Sequence, residues 1–147
     1  MEVTPPERRL VTLLATKFQF LIDRQPRLSR IGESWPYVHL ALTTAEYTVL
    51  FHSDRDLELC IRLCPPWTQL EGSSSPNCFA IEFIRRLIDT HAKPLDGLAE
   101  DNIDEYVTFL HDWTHEIGCA FRHDEWENTL DRIKPILEEE ERKIFGG

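Results

Sequence analysis

The sequence predicts an α+β domain in which about four helices pack on one face of a three-stranded antiparallel meander. Two observations carry that expectation. Between Tyr37 and Cys64 apolar residues recur at every second position in three runs, the period of half-buried strands. On either side of this stretch they recur at three- and four-residue spacing, the period of helices with one covered face. The links are short, and the 147 residues suit a single domain, 1–147, able to bury a core.

Pro5 and Pro6 suit a helix start, and Leu10, Leu13, Leu14, Phe18 and Leu21 then fall at helical spacing, giving a first helix over 5–22. From Asp23 to Pro36 the chain carries Arg24, Arg27 and Arg30 among prolines and a glycine. That segment reads as an exposed basic loop. In the meander Val38, Leu40 and Leu42, then Tyr47, Val49 and Phe51, then Leu57, Leu59, Ile61 and Leu63 share a face. A loop at Thr44-Ala45 sets Leu42 opposite Tyr47 and Leu40 opposite Val49. A loop at Asp54-Arg55-Asp56 sets Phe51 opposite Leu59 and Val49 opposite Ile61. A slip of one residue in either hairpin would turn the apolar set away from the core. The opposite face holds His39, Ala41, Thr43, Thr48, Leu50, His52, Glu58, Cys60 and Arg62. It shows no apolar pattern and is expected to meet water.

Pro65-Pro66 ends the third strand, since proline donates nothing to a ladder. Trp67–Pro76 reads as a surface loop. Ser75 and Pro76 start a second helix that runs to about His91, its stripe formed by Phe79, Ala80, Phe83, Ile84, Leu87 and Ile88. Asn102 with Glu105 in capping-box position opens a third helix, faced by Ile103, Val107, Leu110, Trp113 and Ile117, with Gly118 and the Arg122-His123-Asp124 stretch marking its end. The fourth starts near Asp124 and presents Trp126, Leu130, Ile133 and Leu137, with a kink or division expected at Pro135.

Charge narrows the function classes. The net charge is −10, and residues 1–95 hold 11 acidic and 11 basic side chains against 15 and 5 in residues 96–147. A field concentrated in the last third repels nucleic acid and anionic membrane and favours one basic protein partner. No apolar run approaches a membrane span of ~18 residues and no basic-then-apolar leader opens the chain, so a cytoplasmic protein with free thiols at Cys60, Cys64, Cys78 and Cys119 is expected. No motif asks for a cofactor, a phosphate loop or a nucleophile elbow.

Two sets of candidate site residues follow. Asp101, Asp104, Glu105, Asp112, Glu116, Asp124, Glu125 and Glu127 are the carboxylates expected to meet a basic partner, with Trp35 or Trp67 as aromatic anchor. His111, His115 and Cys119 stand one helical turn apart, a spacing that would let an unbroken helix offer three ligands to zinc. Glu116 beside His115 gives part of a metalloprotease motif, but Cys119 stands where its second histidine belongs. Half-buried histidines paired with Asp112 or Glu116 are the ordinary alternative.

The order of elements resembles that of the small α+β immunity proteins encoded beside bacterial polymorphic toxins. The resembling parts are the opening helix with Lys17-Phe18-Gln19-Phe20, the Val38–Leu63 meander with its Asp54-Arg55-Asp56-Leu57-Glu58-Leu59 turn, and the Phe79–Ile88 helix. They cover roughly the first 90 residues. The resemblance implies a non-catalytic inhibitor that occludes a toxin, and it transfers no individual functional residue.

Overall fold

The computed structural model describes residues 12–31, 38–53, 58–69 and 77–145. The α+β class holds, with a five-stranded sheet in place of three strands. The strands are β1 (Arg27–Ile31), β2 (Val38–Thr43), β3 (Thr48–Ser53), β4 (Leu59–Cys64) and β5 (Phe79–Ala80), neighbours in sequence order and antiparallel throughout. Residues 12–17 are helical. After them come α1 (Gln19–Ile22), α2 (Ile81–Ile88), α3 (Ile103–Asp112), α4 (Thr114–Ala120) and α5 (Trp126–Phe145), with 3₁₀ turns at Ala99–Asn102 and His123–Glu125.

The hairpin registers differ from the expected ones by two residues. Leu42 faces Val49 and Leu40 faces Phe51, while Phe51 faces Ile61 and Val49 faces Leu63. The first loop is Ala45-Glu46, one residue further along than Thr44-Ala45, and moving a loop by one residue moves the pairing by two. Thr44 fixes it there. Its amide donates to the Tyr47 carbonyl at 2.8 Å, and its hydroxyl accepts from the Glu46 and Tyr47 amides, both at 3.3 Å. A two-residue shift preserves parity, so the apolar face survives it. The second loop, with Asp54, Arg55, Asp56 and Leu57, lies outside the described residues, as do residues 5–11 and the Ser75-Pro76 helix start.

Leu40, Leu42, Tyr47, Val49, Phe51, Leu59, Ile61 and Leu63 form one core with Phe18 and Leu21, the α2 stripe and the buried residues of α3–α5. Phe18 meets Phe51 edge-on at 4.9 Å. Each such buried side chain contributes roughly 1.5–3 kcal/mol of transfer free energy. The other face is less open than expected. Ala41, Leu50, Cys64 and Cys78 make a small second cluster there, all under 7% exposed.

Several element boundaries correct the expectations. The predicted loop after the first helix contains β1, and the first turn of the predicted second helix is β5. Phe79 and Ala80 pair with Leu63 and Arg62, so that helix starts at Ile81. Asn102 stands at the start of α3 without capping it, because its amide donates to the carbonyls of Asp96 and Leu98 at 2.9 and 3.3 Å. The helix end expected between Gly118 and the Arg122-His123-Asp124 stretch is met, since α4 stops at Ala120. Pro135 does not divide α5, which continues through it to Phe145.

Candidate functional site

The third predicted helix is broken, and the break shapes the site. At Trp113 (φ −112, ψ 18) α3 ends and α4 begins. The Thr114 hydroxyl donates to the Leu110 carbonyl, a side-chain bond that competes with the backbone ladder and bends helices. His111 is thereby separated from the other two candidate ligands. Its ring, 67% exposed, bonds Asp112 at 2.9 Å and meets Phe20 edge-on at 5.6 Å. His115 and Cys119 remain on α4 one turn apart, Nε2 to Sγ 3.6 Å. Among the described residues no group of three His, Cys, Asp or Glu side chains is arranged to hold a metal ion. The three-ligand expectation fails because it required one unbroken helix.

His115 and Cys119 open onto a cleft of about 530 Å³ that Glu116, Arg122, Glu125 and Arg132 also line. Two carboxylates and two guanidiniums balance there. Arg132 donates to the Leu87 carbonyl at 3.2 Å, and Arg122 grips Asp124 through two bonds, Nε to Oδ1 3.0 Å and Nη2 to Oδ2 2.5 Å. Hydrogen bonding to Asp124, then its charge, holds the Arg122 guanidinium above its ordinary value.

All eight candidate carboxylates are exposed. Asp101 accepts from the Leu98 amide at 3.3 Å, Asp104 pairs with Lys17 at 3.1 Å, and Asp112 and Asp124 have the partners above. Glu105, Glu116, Glu125 and Glu127 form no salt bridge among the described residues. The structure brings Glu116 and Glu125 together in the cleft and places the others along α3 and the start of α5. Trp35 lies outside the described residues. Trp67 is not a free anchor. Its Nε1 donates to the Phe121 carbonyl at 2.9 Å, and its ring stacks on His123 at 3.9 Å and meets Trp126 edge-on at 5.9 Å.

Sequence reading missed a buried charge network on α2. Glu82, 12% exposed, lies 3.5 Å from Arg85 and 3.2 Å from Arg86, and it accepts from the Leu95 amide at 2.9 Å and the Tyr106 hydroxyl at 3.4 Å. Arg86, 9% exposed, reaches across to Glu140 of α5 at 2.8 Å. Burial first, then the Glu82 charge, pushes the Tyr106 hydroxyl far up from its ordinary value. The only sequence signal was Glu82 at i, i+3 and i, i+4 to two arginines, which usually marks a solvated helix face. All its members hold neighbouring elements, so the network reads as structural.

Comparison with protein-family models, with curated proteins and with solved structures returned no match. What fold and site define is therefore a class: an α+β domain whose sheet is covered by helices that carry its excess negative charge outward. No helix among the described residues is long and apolar enough to cross a membrane.

Proposed function

We propose that this protein is a non-catalytic, cytoplasmic inhibitor that binds one basic protein through the acidic surface of α3–α5, as an immunity protein occludes its toxin. The observation that carries the reading is the state of its carboxylates. All eight are solvent-exposed on consecutive elements, and five of them, Asp101, Glu105, Glu116, Glu125 and Glu127, form no salt bridge among the described residues. Charges left unpaired at the surface steer a partner of opposite sign and raise its association rate. Among the described residues His115 and Cys119 supply two donors and no third, so the zinc reading gains no support from the geometry.

The test is stopped-flow association with the toxin-domain product of the adjacent gene. Glu105→Lys, Glu116→Lys and Glu127→Lys together leave every described ion pair intact. They should slow association about tenfold or more at low ionic strength and flatten its salt dependence. An association rate indifferent to the triple reversal would sink the proposal.

A further inference from the structure

The second face of the sheet buries two thiols, Cys64 and Cys78, that the proposed binding surface does not use. In β4 and β5 Arg62 faces Ala80 and Leu63 faces Phe79. Continuing that register by one residue sets Cys64 directly opposite Cys78. Both lie in the same small buried cluster with Ala41 and Leu50, both are reduced, and the two hydrogen-bond each other. Residues opposed across an antiparallel ladder have Cα atoms about 4.5–5.5 Å apart. That lies inside the range a disulfide spans without backbone movement.

We propose that Cys64 and Cys78 form a redox pair that closes to a disulfide across the β4–β5 end of the sheet. The oxidant is a low-molecular-weight disulfide of the glutathione type. Cys78 is 6% exposed and Cys64 0%, so Cys78 attacks first. Its thiolate bonds to one glutathione sulfur, the S–S bond breaks, and the first glutathione leaves as thiolate to take up the proton Cys78 released. Cys64 then attacks the Cys78 sulfur and expels the second glutathione, which takes up the Cys64 proton. Two protein thiols are oxidised and one disulfide is reduced to two thiols. Hydrogen bonding to Cys78 and burial hold the Cys64 thiol well above its ordinary value while both are reduced. Once Cys78 carries glutathione, that thiol partner is gone.

The bridge would fix the start of β5 to the end of β4, three residues before Trp67, which packs against Phe121, His123 and Trp126.

The experiment treats the reduced full-length protein with glutathione disulfide, unfolds it in iodoacetamide, and digests it with trypsin and a glutamate-specific protease. Arg62 and Arg85 bracket both cysteines, and Glu71 lies between them. The expected product is the two fragments flanking Glu71 joined and two hydrogens lighter, with Tm raised by about 5–10 °C. Exposed Cys119 should carry glutathione in the same sample and so reports that the oxidant acted. Cys64→Ala, or Cys78→Ser if the first variant does not fold, should abolish both link and shift. The double variant Cys60→Ala, Cys119→Ala should keep them. Cys64 and Cys78 both alkylated beside a glutathionylated Cys119, or a link formed through Cys60, would overturn the proposal.

Discussion

The carboxylate of Glu82 is shared by two arginines, a backbone amide and a tyrosine hydroxyl in a site 12% exposed. Among the described residues, removing it leaves Arg86 with Glu140 and Arg85 with the Lys93 carbonyl at 2.8–3.0 Å. A buried cation stripped of its partner is strongly destabilising, so Glu82→Ala should cost about 3 kcal/mol in urea unfolding. Loss of under about 0.5 kcal/mol, the scale of exposed helix pairs, would show the network to be solvated. Tyr47 makes the opposite case. Its hydroxyl is buried and, among the described residues, makes no hydrogen bond of normal geometry. Tyr47→Phe removes an unsatisfied polar group and should raise stability by up to about 1 kcal/mol, where an ordinary buried Tyr→Phe change costs stability. At this scale the sequence was legible where burial follows alternation, as at Leu40, Leu42, Val49 and Phe51. It was not legible where a charged side chain is buried by partners distant in the chain, because Glu82 looks the same on a wet helix.

Among the elements, the core strands could be read and the edge strands could not. Arg27, Leu28 and Arg30 read as a basic loop, yet they form β1, with Leu28 60% exposed at the sheet edge. Charged side chains on a free edge are how sheets avoid pairing with other chains, and in a sequence they look like a solvated connector. β5 pairs over two residues, and only Leu63 and Arg62 opposite them hold Phe79 and Ala80 out of the helix. The metal stripe needed one unbroken helix, and the chain leaves helical geometry at Trp113 between α3 and α4. Gly118 shows what an element can conceal. A Cβ there would lie 3.0 Å from Glu46 Cγ and 3.1 Å from its Cβ, so α4 sits directly on the β2–β3 turn. Glu46 is held by both its oxygens to Arg24 at 2.6 Å, so its stem has little room to give. Gly118→Ala should therefore fail to return the roughly 1 kcal/mol that alanine gains over glycine inside a helix, and should lower Tm instead. A rise in Tm would show that the helix stands off the turn.

The whole molecule separates its charges. The part with the sheet is nearly balanced, the helical third is acidic, and α2 and α5 meet through Arg86 and Glu140. Burial by itself would raise the Glu140 carboxyl, but hydrogen bonding to Arg86, its charge and that of Lys143 outweigh this and hold it below the ordinary value of 4.5. A carboxyl with a depressed folded value stabilises the fold fully above the unfolded value and loses that contribution as pH falls through the folded one. Glu140→Gln removes the contribution at every pH. Arg86 keeps Glu82 in the variant, and Glu140 itself is 28% exposed, so the loss at neutral pH should be about 1 kcal/mol. Wild type and variant should then differ by a constant amount from pH 8 down to about 5, and their curves should converge below 4.5. The acid limb of the wild type thus measures how firmly α5 is bound to α2. That docking decides whether the carboxylates at the start of α5 are presented on the same rigid surface as those of α3. If the two curves stay parallel to pH 3, Glu140 is not the group that fastens α5, and the acidic surface must be held together elsewhere.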